Sequence, residues 1–187
     1  PAFFKLICWV INHHEREVIE SSDDPVVFKA INHPVGQVTQ AALQWWFRQE
    51  LRDGQGLPAE LKPILTRLAD TKISSFRHGR VLLGAHIIAL FRVDEQWTTQ
   101  HAVPLFDWQL SRDEAQAAWE GFLWSPQLYS PLLRVLKQSF LSTAAHYAEL
   151  GKHRSQYASL LAFVSLEPGD IFSITELKEA TESLPLE

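Results

Sequence analysis

The chain has 187 residues, and its 46% apolar and 21% charged residues are typical of a folded protein rather than of a disordered one. The formal net charge of −5 argues against a general nucleic-acid binder and a membrane-surface protein, because both usually carry a basic face. Cys8 is the single cysteine, which excludes an internal disulfide and a cysteine-based zinc cage and favours a reducing, cytoplasmic location.

The apolar stretches and the ends of the sequence limit the class of protein to which this chain can belong. The longest apolar stretch, 81–91, is too short to span a bilayer, so no membrane partner is expected. The sequence begins at Pro1, lacks methionine and ends at 186–187 in a Leu-Glu pair that is typical of a cut or a cloning remnant. We therefore expect 1–187 to be a single helical region of a larger protein, with 1–31 as the end of a preceding helical unit.

Helix signals begin clearly at Pro34, a residue suited to the first turn because its missing N–H costs little there. Apolar residues at helical spacing then predict a helix that ends near 52–54, and a second helix around 57–68. A third helix is expected over 75–92. Within it, Gly84 is interpreted as a point where a neighbouring helix approaches closely.

Two capping-box sequences, Ser111–Glu114 and Ser173–Glu176, predict the starts of two later helices. A short helix over 95–103 precedes the first of them. Between the two boxes we expect a long helix over 132–150, which the following glycine ends, and another over 155–166, which the Pro168-Gly169 pair ends.

The pattern predicts an all-α fold. Val26–Phe28 is the one strand candidate, and it is better explained as a short helix that begins after Pro25. Helix pairs at intervals of roughly 40 residues resemble the HEAT and armadillo period. We therefore predict an irregular helical-repeat α-solenoid in preference to a closed helical bundle.

A basic cluster is the strongest candidate for an interaction patch. Arg77, His78 and Arg80 lie close together on the predicted helix that ends with Arg92, and these side chains suit a phosphate or an acidic partner. Trp46 joins the patch because it follows another tryptophan on one helix, and both rings cannot face the same core. The alternative is a charged rim around a packed core.

His13, His14 and Glu17 are the nearest approach to a metal motif. Metalloprotease helices place two histidines at i and i+4, whereas adjacent histidines point about 100° apart on a helix. A solvated loop or helix end is therefore favoured over a metal hydrolase, and we predict no metal ligand, cofactor or catalytic residue. Cys8 lies among apolar residues, which predicts a buried, inert thiol.

Several sequence strings resemble the C-terminal helical region of large bacterial sirtuin-type anti-phage defence proteins. The strings are Asn32-His-Pro-Val-Gly36, Thr39-Gln-Ala-Ala-Leu43, Phe76-Arg-His-Gly-Arg-Val-Leu-Leu83, Ile88-Ala-Leu-Phe-Arg92, Pro104-Leu-Phe-Asp-Trp108 and Ala118-Trp-Glu-Gly-Phe-Leu-Trp-Ser-Pro126. In pattern, the resemblance extends from Asn32 to Pro185, which is about four-fifths of the chain.

The resemblance implies that a sirtuin-like, NAD-consuming domain lies upstream and outside this chain. Such a domain binds NAD on a sheet with glycine-rich loops, and this sequence shows neither feature. We therefore expect this chain to be a non-catalytic scaffold, sensor or regulatory region that acts through protein–protein contacts. Its expected partners are other regions of the same protein, a phage component or a second copy. The alternative is a nucleic-acid-binding module that uses one patch of Lys72, Arg77, His78, Arg80 and Arg92.

Overall fold

In the computed structural model, residues 2–19, 24–166 and 169–184 are described, and across them the secondary structure is entirely helical. The predicted all-α class is thus confirmed. Pro1, Pro168 and 185–187, which bear on the expected chain ends and on one helix end, lie outside the described residues. None of the helices in the described part of the chain has both the length and the apolar character that a membrane span requires.

The α-helices are α1 Ala2–His14, α2 Val26–Asn32, α3 Pro34–Phe47, α4 Lys62–Leu68, α5 Arg77–Ala85, α6 Ile87–Val93, α7 Glu95–His101, α8 Arg112–Leu123, α9 Ser130–Ser142, α10 Arg154–Leu166 and α11 Ile174–Glu182. Three 3-10 segments accompany them, at Ser74–Phe76, Val103–Phe106 and Thr143–His153. The predicted short helix at Val26 is confirmed as α2, and the helix predicted over 155–166 is confirmed as α10.

The first helix lies N-terminal to the first clear signal at Pro34. In α1, Phe4, Ile7 and Ile11 recur at helical spacing, and all three side chains are buried. This face of α1 packs against α3, where the rings of Phe4 and Trp45 meet edge to face with centroids 4.8 Å apart.

The end of α3 corrects a prediction. The helix stops at Phe47 rather than near 52–54, and the chain then forms a loop that bonds to the end of α6. The N–H groups of Gly54 and Gly56 donate to the carbonyls of Arg92 and Val93, each at 2.8 Å. Both glycines have positive φ angles, 73° and 82°, which a helix cannot accommodate.

Two predicted long helices are interrupted. The helix expected over 75–92 is divided at His86, whose φ of −113° and ψ of 17° separate α5 from α6. The helix expected over 132–150 ends as α9 and continues as a 3-10 segment. At this junction the Thr143 hydroxyl donates to the Ser139 carbonyl at 2.7 Å and accepts a bond from the Trp108 indole N–H at 2.9 Å. Such side-chain bonds to the backbone often bend a helix.

The centre of the fold is the crossing of α5 and α8, the pair of helices that packs most extensively. A Cβ at Gly84 of α5 would lie 2.6 Å from the carbonyl oxygen of Ala118 in α8, and a Cβ at Gly121 would lie 2.1 Å from that of Val81. The backbones therefore touch at both glycines, and the close approach predicted for Gly84 is confirmed. The short helix α2 packs across this crossing, where its Ala30 is fully buried.

We expect Gly121→Ala to lower the free energy of unfolding by about 1–3 kcal/mol, because the added methyl overlaps the α5 backbone. Helix propensity alone predicts the opposite, a gain of about 1 kcal/mol. The sign of the change in equilibrium urea unfolding therefore decides between the two, and a stabilised variant would show that α5 and α8 are not in backbone contact.

Candidate functional site

Arg80, a member of the predicted interaction patch, is completely buried. Its Nε donates to Oε2 of Glu114 at 2.5 Å and its Nη2 donates to Oε1 at 2.8 Å, so the pair is bidentate. The remaining Nη1 donates to three backbone carbonyls, that of Leu68 at the end of α4 and those of Asp70 and Ile73 after it. The prediction that Arg80 lies on an exposed patch is therefore wrong, since this guanidinium ties α5 to α8 inside the core.

The capping box predicted at Ser111–Glu114 is only half formed, because the Glu114 side chain binds arginines instead of the backbone at the helix start. The Ser111 hydroxyl accepts from the Glu114 N–H at 3.4 Å, but the carboxylate turns to Arg80 and to Nε of Arg77, 2.8 Å away. Burial alone would raise the pKa of Glu114, but the bonds and charges of the two arginines outweigh it and hold this pKa below its usual value. Arg77 also lies 3.3 Å from the Asp113 carboxylate, so its charge is matched on α8.

The other predicted patch residues do not come together on one surface. Trp46 is fully buried, which leaves Trp45 as the partly exposed member of the pair. Arg92 lies on α6, where its Nη2 pairs with Asp53 at 2.9 Å. Lys72 is exposed near the start of α5. A continuous basic patch is therefore absent from these predicted positions.

We expect Arg80→Met to lower the free energy of unfolding by about 3–5 kcal/mol, because the buried Glu114 carboxylate loses its bidentate partner and keeps only the bond from Arg77. The double variant Arg80→Met/Glu114→Leu should recover most of that loss, since no buried charge remains. Urea unfolding of the three proteins measures both changes.

Arg92→Ala is the matched control for this experiment, because it removes an arginine from an exposed ion pair. Its cost should stay within about 1 kcal/mol. Equal destabilisation by the single and the double Arg80 variants would contradict the assignment of the loss to an unpaired carboxylate.

A histidine cluster, composed of His14, Glu17, His33 and His78, forms where the end of α1, the start of α3 and the start of α5 meet. His14 Nδ1 lies 2.5 Å from Glu17 Oε2, and His33 Nε2 lies 3.3 Å from the same oxygen. The His33 and His78 rings stack with centroids 4.0 Å apart. One carboxylate oxygen thus faces two imidazoles that are distant in sequence.

The turn that carries His14 and Glu17 is fixed by hydrogen bonds to the 3-10 segment before α5. The buried Ser75 hydroxyl donates to the His14 carbonyl at 2.7 Å, and the Ser74 hydroxyl donates to the Glu17 carbonyl at 3.3 Å. The turn itself is closed by the Glu17 N–H, which donates to the His14 carbonyl at 3.2 Å. Both cluster residues are therefore oriented through their backbone.

His33 has a second role as the N-cap of α3. Its Nδ1 accepts from the Val35 N–H at 3.2 Å, so the proton of the neutral ring lies on Nε2, the atom that faces Glu17. Pro34, the first residue of α3, has no N–H to satisfy.

The electrostatics of the cluster favour a carboxylate beside neutral rings. The hydrogen bond from His14, more than any other contact, lowers the pKa of Glu17. Burial lowers the pKa of His33, and it lowers that of His78 from 6.5 to about 4. At neutral pH the cluster therefore presents an ionised Glu17 with uncharged His33 and His78.

A cavity of about 410 Å³ opens beside the cluster. Its walls include Glu17, His33 and His78, together with Phe28 and Ser75. Glu17 and His33, one of the two histidines that face its carboxylate oxygen, are thus reachable from outside.

We expect His33→Ala to lower the free energy of unfolding by about 1 kcal/mol, because the Val35 N–H loses its acceptor. His33→Asn should be close to wild type, since the asparagine side chain is among the best N-caps. Thermal unfolding of both variants tests the cap, and an equal loss in the two would show that the ring stacking, rather than the cap, carries the stability.

Sequence reasoning identified part of this cluster and missed the rest. His14 and Glu17 were singled out with His13, but the His13 ring is exposed and stacks on Trp9 with centroids 5.4 Å apart. His78 was singled out as a member of the predicted basic patch, and His33 was noted only before the helix that begins at Pro34 and within the family-like string. The His33-Pro34 pair at a helix start indicates a capping position. No local sequence pattern, however, predicts that α5 places His78 against His33.

The outward face of α1 is the second feature with functional potential. Trp9 is 63% exposed and Leu6 is 59% exposed, although the opposite face of the helix is buried. Cys8 is also exposed, so the prediction of a buried thiol is wrong. The reason is that α1 is apolar on both sides, whereas this fold covers only one of them.

No family model, curated protein or solved structure matches the chain. The resemblance to sirtuin-type defence proteins therefore stays a prediction that rests on the sequence strings alone. The geometry offers two kinds of chemistry, an apolar helix face that suits another protein and a histidine–carboxylate cluster that suits a cation.

Proposed function

We propose that this chain is a non-catalytic helical scaffold that acts through protein–protein contacts, with the outward face of α1 as its contact surface. The observation that carries the proposal is the apolar character of α1 on both sides. A helix that is hydrophobic all round is normally buried all round. Before His13, α1 has a single charged side chain, that of Lys5, yet Leu6 and Trp9 are exposed one helical turn apart.

The packing of neighbouring helices supports a scaffold of the irregular HEAT- or armadillo-like kind. Several helices that follow one another in the chain pack together, α2 on α3, α6 on α7 and α10 on α11, beside the more extensive crossing of α5 and α8. In a solenoid, each helical unit contacts its neighbours, and the units at its ends carry a polar outer face. The exposed side of α1 is apolar, so it suits a unit on which a further helix packs. We therefore propose that its partner is another helical unit of the larger protein.

The resemblance to the helical region of sirtuin-type anti-phage proteins supplies the biological setting of the proposal. In that setting, contacts through α1 hold an NAD-consuming domain in place or transmit a phage signal to it. A nucleic-acid-binding module is not favoured, because the guanidinium groups of Arg77 and Arg80 already bind carboxylates of α8.

We expect Trp9→Lys to weaken binding between this chain and the remainder of the larger protein by at least about tenfold, because tryptophan is enriched among binding hot spots and an unpaired lysine is costly to bury. The two parts are expressed as separate polypeptides, and their affinity is measured by calorimetry. In phage-challenged cells that carry the complete gene, the same substitution should prevent the fall in NAD.

The matched control is Ile174→Lys, which replaces an 80% exposed apolar residue on α11 and should leave the affinity unchanged. Circular dichroism verifies that both variants keep the helix content. Wild-type binding that Trp9→Lys does not weaken would show that α1 is not the contact surface. A wild-type chain that does not bind the remainder at all would end the scaffold proposal.

A further inference from the structure

We propose that His14, Glu17 and His33 bind one divalent first-row transition metal ion. The site goes beyond the proposed scaffold function and does not depend on it. Each of these residues offers one ligand atom, and all three atoms lie within 4.8 Å of one another. Two of the separations are shorter still, since Oε2 of Glu17 lies 2.5 Å from the nearest nitrogen of His14 and 3.3 Å from that of His33.

One of these distances is that of an occupied site. Zn–N and Zn–O bonds of roughly 2.0–2.2 Å place tetrahedral donor atoms about 3.3 Å apart, the separation between Glu17 and His33. The 2.5 Å between His14 and Glu17 is a hydrogen-bond distance, so these two side chains must rotate apart to admit the ion. Binding therefore breaks the hydrogen bond between them.

The ligand chemistry selects the class of metal. Two imidazole nitrogens and one carboxylate oxygen suit Zn²⁺, Co²⁺ or Ni²⁺, whereas Ca²⁺ and Mg²⁺ prefer sites made of oxygen atoms. Three protein ligands leave at least one coordination position open in a tetrahedral site. Because Glu17 and His33 line the cavity beside the cluster, an ion held between them would be reachable from it.

The surroundings of the ligands already restrain them, as is usual for metal sites. Ser75 and Ser74 hold the carbonyls of His14 and Glu17, and the ring of His78 stacks on that of His33. Both histidine side chains are largely covered, at 22% and 16% exposure, while Glu17 is 46% exposed and admits the ion.

The protonation changes that binding requires are limited. His33 must present an unprotonated Nε2, so its proton moves to Nδ1 and the bond from the Val35 N–H is lost. His14 must likewise present Nδ1, and its proton moves to Nε2. Glu17 is already ionised and needs no change. The capping bond and the hydrogen bond between His14 and Glu17 are therefore exchanged for three metal–ligand bonds.

The ligands come from two parts of the chain, the end of α1 and the residue before α3. A bound ion would therefore tie these two helices together. Since the ligands are assembled only in the folded chain, binding should also raise the unfolding temperature.

The test is a calorimetric titration of Zn²⁺ into the full chain after removal of metals with a chelator, at neutral pH. We expect one ion per chain and a rise in the unfolding temperature. Glu17→Gln, His14→Ala and His33→Asn should each weaken binding at least about tenfold. His33→Asn is chosen because asparagine can keep the N-cap, so a loss of affinity would not reflect a damaged helix.

His13→Ala is the matched control, since this adjacent histidine is exposed and stacks on Trp9 outside the proposed site. It should bind Zn²⁺ as the wild type does. Affinity that persists in Glu17→Gln and His33→Asn but falls in His13→Ala would place the ion on the surface histidines and overturn the proposal. Absence of saturable binding to the wild-type chain would overturn it as well.

Discussion

The contact between the backbones of α5 and α8 is the constraint on which the other elements depend. Gly84 and Gly121 allow the two helices to meet without intervening side chains, and the bidentate bond between Arg80 and Glu114 joins the same helices one or two turns away. The short helix α2 rests on this crossing, and the 3-10 segment before α5 holds the turn after α1 through Ser75. The crossing thus positions the outward face of α1 and the histidine cluster, although each of these lies at the edge of the fold.

The buried ion pair illustrates where sequence reasoning succeeded and where it could not. The all-helical class, the capping box at Ser173 and the close approach at Gly84 were predictable because each depends on local pattern or on the small size of one residue. The capping box at Ser111 has the same local pattern, but a charge that lies 34 residues earlier draws the Glu114 carboxylate away. A charge of this kind is assigned to the surface by default, and only the tertiary fold reveals its partner.

The histidine cluster and the α1 face were missed for different physical reasons. The histidine cluster is assembled from residues at or beside the ends of α1, α3 and α5, so the residue spacing within any one helix does not predict it. The α1 helix has a clear 3.6-residue pattern on its inner side, but its outer side is equally apolar, and this weakens the contrast on which periodicity relies. The apolar outer side of α1, which made this helix difficult to predict from periodicity, is also the observation that suggests a binding partner for it. Its last turn ends in the cluster, so α1 connects the two surfaces physically.

Cys8 gives this arrangement a consequence for sulfur chemistry. The sequence contains one cysteine and no methionine, so the Cys8 thiol is the only sulfur atom of the chain, and it is exposed on α1 between Leu6 and Trp9 in sequence. Oxidants and thiol-reactive probes that act on sulfur therefore have one target, and it stands on the helix that is proposed to meet a partner. Alkylation of the Cys8 thiol therefore probes the outward face of α1 alone. A thiol protected from alkylation indicates that a partner covers this face, and a reactive thiol indicates that the face is exposed to solvent.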